Sequence, residues 1–384
     1  MMEQMSISYP TGTLELEVSA AGASAGDYIG FAARANAKRA FLFMSKVLGK
    51  HYPVRPSRMH TVHAQLARQL AISGEPVVFL GMAETATGLG QGVYEAWMTI
   101  NPGQPAMYLH TTRYRVPDTE RVIFEEAHSH APNVFLTLPT DPVLRSLYER
   151  AVSVVLVDDE LSTGNTFINL VEVLRKTMPR LASVHIATIA DFMGDDCRQG
   201  LTGRMNLPCN VHALLRGQWC YSGEATPSFA GITQHSLGQE VSLKDSGYGR
   251  LGRRHPVHVG QDLADSLAYR YRYGKTLVLG TGEFMHGAFV LGLALEHQGC
   301  DVHVQATTRS PILEWGAITA KMSVPDAYGE GLTNYLYNVS PGQYEHIVVC
   351  HELWASGAVQ LGHALQGSLI QFGKGDHVQE NPLH

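Results

Sequence analysis

Cysteine is scarce in this sequence and charge is low. The five cysteines, at positions 197, 209, 220, 300 and 350, form no CxxC pair. An odd, scattered set argues against a disulfide framework and reads most simply as reduced cytosolic thiols. Charged residues make up 17% and apolar ones 45% of the 384 residues, which excludes a disordered chain. The formal charge of −6 lacks the broad basic footprint of a nucleic-acid binder, though local cationic pockets stay open. No uninterrupted apolar run is long enough to span a bilayer. The opening MMEQMSISYPTGTLELEVS lacks the basic and apolar regions of a secretory signal. These absences predict a soluble cytoplasmic protein with no nucleic-acid or membrane partner. There is no fixed-period repeat and no low-complexity tract.

What is present alternates between two periods. TLELEV, PVVFLG, AMYLHTT, VSVVLV and SVHIATIADF read as strands. RANAKRAFLFMSKVLGKHYP reads as a helix, and so does SRMHTVHAQLARQLAIS with Ser57 as its cap. NTFINLVEVLRKTM reads as an amphipathic helix. This rhythm predicts an α/β fold with a mostly parallel sheet covered by helices. Between about 195 and 258 the pattern loosens into Gly, Ser and Pro, which places a junction there. Beyond it KTLVLG, DVHVQA and HIVVC read as strands, and EFMHGAFVLGLALEHQG as a helix stopped by Gly299. The expected division is a first domain over 1–215, a linker over 216–258 and a smaller α/β domain over 259–384.

The most informative stretch is VSVVLVDDELSTGNTFINLVEVLRK. A strand ends in Asp158 and Asp159, and Ser162, Thr163, Gly164, Asn165 and Thr166 then open a helix. Ligands of open parallel sheets bind at the carboxyl ends of strands. A helix-opening turn offers N–H groups and a favourable dipole to phosphate. Ribose 5-phosphate satisfies both halves: its phosphate enters the turn and its 2- and 3-hydroxyls donate to the acids. A hydrated Mg²⁺ joins hydroxyls and pyrophosphate beside Asp158 and Asp159, and the acids face positive charge developing at C1.

VVLVDDELSTGNT resembles the PRPP-binding motif of type I phosphoribosyltransferases. The resemblance implies Asp158 and Asp159 on the ribose hydroxyls and Ser162 to Thr166 around the 5-phosphate. It also implies a pyrophosphate loop after an earlier strand, and VVFLGMAETATGLGQGV supplies Ala83, Glu84 and Thr85 there. That loop lacks the Lys or Arg common in relatives, so Arg113 or another basic residue is expected to compensate. A closing loop is implied in TTRYRVPDTERVIFEEAHSHAPNVF, with His128 a candidate general acid or base. Together with RANAKRAFLFMSKVLGKH, MAETATGLGQGV and EEAHSHA, the downstream TTRSP is similar to the phosphoribosyltransferase family fused to a TRSP domain, found in gene clusters associated with tellurium resistance. The resemblance implies an N-terminal hood within about residues 1–60 that reads the base, including Lys46, Lys50 and His51. Relatives of this fold often dimerise, which leaves a homodimer open.

Competing readings are weaker. A response-regulator receiver places its acids near the chain start, whereas these lie mid-chain before a Thr-Gly turn. The HSH pair has no third ligand at a recognisable spacing, and HELW lacks the second histidine of HExxH. GTGEFMHG follows a strand, but Met285 occupies the third glycine position of a dinucleotide fingerprint. Gly280, Thr281, Gly282 and Glu283, with Arg309 and Ser310 of TTRSP, form a candidate second anion site, with a structural ion pair at Arg309 as the alternative. The expected activity is Mg²⁺-dependent transfer of ribose 5-phosphate from PRPP to a nitrogenous base, or the reverse from a nucleotide. A non-catalytic PRPP or nucleotide sensor is the alternative.

Overall fold

A hairpin opens the computed structural model, which describes residues 2–20, 23–33, 41–125, 133–223, 247–352 and 356–381. Its strands are β1 (Met2–Tyr9) and β2 (Gly12–Ala20), followed by a separate antiparallel pair, β3 (Ile29–Ala33) and β4 (Phe41–Ser45). Helix α1 (Pro56–Gln69), β5 (Val77–Gly81), α2 (Thr87–Ile100) and β6 (Ala106–His110) come next. A second hairpin, β7 (Arg121–Glu125) and β8 (Asn133–Thr137), leads to α3 (Pro142–Arg150), β9 (Ser153–Leu161) and α4 (Asn165–Thr177). Then follow β10 (Ser183–Asp191), the short α5 (Asp195–Gln199) and α6 (Leu201–Met205), and β11 (Cys209–Gly223). The C-terminal part holds α7 (Gln261–Tyr271), β12 (Lys275–Gly280), α8 (His286–His297), β13 (Asp301–Ala306), β14 (Lys321–Val324) and β15 (Asn334–Tyr337). It ends with β16 (His346–His351), α9 (Ser356–Leu365), β17 (Ser368–Phe372) and β18 (Val378–Asn381).

The main sheet runs β1-β2-β11-β10-β9-β5-β6, with the strands from β11 to β6 parallel. Helices cover both faces of such a sheet, so its central strands must be apolar on both sides. Val154 to Val157 of β9 and Val77 to Leu80 of β5 are fully buried, as that requires. Helix α4 buries Phe167, Leu170, Val171 and Leu174, one stripe at helical spacing. A second sheet, β13-β12-β16-β17-β18, is parallel except at its β18 edge. The fold is thus the expected α/β architecture with a second α/β domain.

Several local expectations are corrected. The helix expected across FLFMS is strand β4, whose five residues are all buried and pair with β3. A surface helix would expose one face of that run. Ser57 is not the cap of α1. Arg55 holds the cap position, and the Ser57 N–H and hydroxyl both donate to the Glu296 carboxylate, at 2.6 and 3.0 Å. Residues 216–223 continue β11 in the sheet rather than forming a linker. The β1–β2 hairpin extends the main sheet through β11, which leaves β3 and β4 as the strands available to a hood. Residues 247–253 are wedged between the domains, with Tyr248 and Arg250 buried and the Tyr108 and Arg253 backbones exchanging two hydrogen bonds of 2.8 Å.

The C-terminal domain also packs on β3 and β4. Leu313 and Ala317 donate backbone N–H bonds to Ala33 and Phe31 of β3, at 3.0 and 2.8 Å. Ala32, Leu42 and Met44 share one apolar cluster with Ile312, Ile318, Tyr335 and Tyr337. Trp315 stacks on Tyr9, with ring centroids 4.4 Å apart.

Candidate functional site

Strand β9 carries Asp158 and Asp159 to the carboxyl end of the sheet, where both are half-buried rather than sealed. The Asp159 N–H donates to the Asp158 carboxylate at 2.9 Å, so the pair shares a fixed local geometry. Gly164 then turns the chain in a left-handed conformation, φ +73°, at the N-cap of α4. The positive φ is what favours glycine; a β-carbon there would also lie 2.6 Å from the Met193 methyl, the flexible end of a side chain that would have to shift. Gly164 offers no side-chain cap to α4, and the Asn165 N–H reaches only the Thr163 hydroxyl, at 3.4 Å; the first N–H groups of a helix lack partners within it. Thr163 is exposed, and Ser162, Asn165 and Thr166 are half-buried, so the turn stays accessible. Arg204 of α6 donates to the Thr163 carbonyl at 3.2 Å and to the Asn165 side chain. That places a cation beside the candidate anion-binding turn. No motif pointed to Arg204, because a lone Arg in a short polar segment has no spacing to distinguish it.

Across from the acids lies the loop after β5. Thr85 donates its hydroxyl to Asp159 at 2.9 Å, which ties the two loops together. Ala83 is buried, donates its N–H to the Thr111 hydroxyl at 2.8 Å, and is joined to Glu84 by a cis peptide. The loop itself has no cation, but three arrive from elsewhere. Lys50, with no exposed surface, lies 2.8 Å from Glu84. Arg309 donates to the other Glu84 oxygen at 3.4 Å. Arg113, after β6, is the third charge acting on this carboxyl. Burial alone would raise the Glu84 carboxyl; Lys50 first and then Arg309 and Arg113 outweigh it and hold it down at about 2. Burial pulls the Lys50 ammonium below the usual lysine range, with Glu84 opposing it.

The expected hood cations therefore separate. Lys46 reaches the Gly26 carbonyl at 2.9 Å. Lys50 belongs to the Glu84 cluster and also donates to the Gly282 carbonyl at 2.7 Å. His51 is buried, its ring 5.9 Å from that of Tyr337 and its carbonyl accepting from Asn338 at 3.0 Å. The expected closing loop contains a hairpin of β7 and β8, and His128 lies outside the described residues.

The candidate second anion loop does not form a separate cradle. The N–H groups of Thr281, Phe284 and Met285 donate to carbonyls within the loop itself, and Gly282 donates to the Thr307 hydroxyl. The Glu283 carboxylate accepts from the Thr112 hydroxyl, the Arg113 N–H and Arg250, at 2.7, 2.8 and 3.0 Å. Gly280 ends β12 with the Phe284 carbonyl packed against it, and Ser310 donates its N–H to the Thr308 hydroxyl at 3.2 Å. Loop and Arg309 are instead drawn onto the first domain. Arg250 also holds both Glu352 oxygens, at 2.7 and 2.8 Å. Among the described residues no group of three or more His, Cys, Asp or Glu is placed to hold a metal ion by itself.

The profile of the Phosphoribosyl transferase family matches residues 28–218. That of the TRSP domain, which lies C-terminal to this transferase, matches residues 249–366. No curated protein matches the chain. Among solved structures, adenine phosphoribosyltransferase from Leishmania donovani is 14% identical, with 48% of this chain and 76% of that one covered and a TM-score of 0.34. The enzyme from Trypanosoma brucei has the same identity and coverage and a TM-score of 0.33. That from Giardia lamblia is 15% identical, covering 42% and 80%, with a TM-score of 0.29. With both profiles matched in order along one chain, this protein belongs to the phosphoribosyltransferase family that carries a TRSP domain behind the transferase.

Proposed function

We propose that the chain transfers ribose 5-phosphate from PRPP to a nitrogenous base, with release of pyrophosphate, or runs this reaction in reverse from a nucleotide. The observation that carries the reading is the acid pair at the end of β9, half-buried beside an uncapped helix turn. Asp158 and Asp159 would take the ribose hydroxyls, and residues 162–166 with Arg204 the 5-phosphate. In the forward direction the C1–O bond to pyrophosphate breaks and its electron pair leaves with the pyrophosphate oxygen. The base nitrogen supplies the pair for the new C1–N bond and loses its proton. The acids stabilise positive charge at C1, so catalysis rests on positioning and electrostatics.

Two half-buried carboxylates fit a hydrated Mg²⁺ shared with the substrate, since this ion keeps most of its waters and uses one or two carboxylates plus phosphates. When bound, it neutralises charge on the pyrophosphate. Lys50, Arg113 and Arg309 bring positive charge to Glu84 in the loop after β5, which has no cation of its own, and this supports the enzymatic reading over the sensor. The test is titration calorimetry with PRPP and MgCl₂, joined to a pyrophosphate-release assay over a panel of bases. Asp159→Asn is expected to weaken PRPP binding at least tenfold and to slow turnover further. Unchanged PRPP affinity in that variant counts against the assignment, and binding without pyrophosphate release for any base favours the sensor.

A further inference from the structure

Arg309 stands at the end of β13 in the C-terminal domain, yet its nearest charged partners span both domains. Its Nε donates to Glu84 of the N-terminal domain at 3.4 Å, and one terminal nitrogen donates to Glu330 at 2.5 Å. Its guanidinium lies over the Tyr114 ring, 5.3 Å from the centroid. The arginine keeps 14% of its side-chain surface exposed, whereas Lys50 beside the same carboxylate has none. Lys50 is also anchored to the Gly282 carbonyl at 2.7 Å. Of the three cations around Glu84, Lys50 therefore has no surface to offer a ligand, whereas Arg309 and Arg113 do, and Arg309 is the one that the second domain contributes. A guanidinium carries five N–H donors in a fork that matches phosphate oxygens. Thr85, next to Glu84, is hydrogen-bonded to Asp159, so this cation sits across one loop from the acid pair.

We propose that Arg309 is a pyrophosphate-binding cation of the N-terminal site, so that the two domains build one active centre and the TRSP domain supplies part of the charge that the loop after β5 lacks. This rests on the PRPP reading above. In the ligand-free state Glu84 and Glu330 hold the guanidinium in place. On binding, phosphate oxygens take over donors that Glu330 occupies, while Glu84 keeps its second partner, Lys50.

The experiment uses the full chain and titrates wild type, Arg309→Gln, Arg309→Lys and Glu330→Gln with PRPP, Mg-pyrophosphate and ribose 5-phosphate. Arg309→Gln is expected to lose at least tenfold in affinity for PRPP and pyrophosphate, with ribose 5-phosphate affinity kept within about twofold. Arg309→Lys should recover part of that loss, since it keeps the charge without the fork. Glu330→Gln, which removes the competing negative charge and leaves only a neutral amide acceptor, should tighten PRPP binding at pH 8. Unchanged PRPP affinity in Arg309→Gln overturns the proposal while leaving the PRPP reading intact. Equal loss for all three ligands overturns it too, because it shows a merely structural arginine. Weaker PRPP binding in Glu330→Gln overturns the exchange of partners. If wild type binds neither PRPP nor ribose 5-phosphate, the functional reading fails and this inference with it.

Discussion

Glu330 and Glu84 flank the same guanidinium but are pushed in opposite directions. Burial is the larger influence on Glu330 and raises its carboxyl from 4.5 to about 7, with Arg309 opposing and Asp326 and Glu283 adding to the rise. A raised carboxyl binds more protons in the fold than in the unfolded chain between pH 4.5 and about 7, so stability falls as pH rises through that window. Glu84, held down at about 2, has the other sign: its contribution is complete above 4.5 and is lost as pH falls towards 2. Glu330→Gln should therefore melt close to the parent at pH 5 and a few degrees above it at pH 8. The shift corresponds to at most roughly 3.5 kcal/mol at about 1.4 kcal/mol per pH unit. Thermal denaturation at the two pH values measures this, and an equal or lower melting temperature at pH 8 contradicts the sign. None of this was legible in the sequence, where Glu330 lies in a Gly-rich segment and only folding brings Arg309 to it.

At the scale of elements, the turn between β9 and α4 carries the most local information. An apolar strand, two acids and a Thr-Gly turn are neighbours in the chain, so their geometry follows from local backbone rules and was legible as such. Gly164 is the hinge of that unit. Gly164→Ala forces a side chain into the left-handed region, at about 1–2 kcal/mol, and places the new carbon 2.6 Å from Met193. Urea unfolding should show that loss, and ribose 5-phosphate affinity should fall along with it. The strand β4 was misread for the opposite reason. Its apolar run FLFMS is too short to reveal its period, and what decides it is burial on both faces, by β3, the main core and the Ile312–Tyr337 cluster.

At the scale of the whole molecule, charge and apolar surface cross between the domains: Arg309 donates to Glu84, and the Glu283 carboxylate accepts from Thr112 and the Arg113 N–H. Behind that contact Arg250 lies between Glu283 and Glu352, all three buried, and Tyr328 donates to Glu352 at 2.7 Å. Removing one partner leaves buried carboxylates uncompensated, which typically costs about 3–5 kcal/mol. Arg250→Met should lose stability on that scale in denaturant unfolding, and a loss under about 1 kcal/mol would show that the site relaxes or takes in water. Calorimetry of the parent should give a single transition. A fragment ending at residue 223 would bare Ala32, Leu42 and Met44, which pack against Ile312, Ile318, Tyr335 and Tyr337. It is expected to aggregate in size-exclusion chromatography, whereas a monodisperse fragment would argue for independent domains. Among the described residues, no helix is long and apolar enough to cross a membrane.

The sequence by itself determined the α/β class, the family, the acid pair and the turn that follows it. Those features depend on periodicity and on residues adjacent in the chain, where backbone geometry dictates what neighbours can do. Only the tertiary structure decided which cations surround Glu84, that β1 and β2 join the main sheet and that the second domain leans on the first. Lys50, Arg113, Arg204 and Arg309 are scattered along the chain with no periodicity between them. Long-range packing, with the electrostatic cost of leaving Glu84 and Glu283 buried without partners, sets where those charges meet.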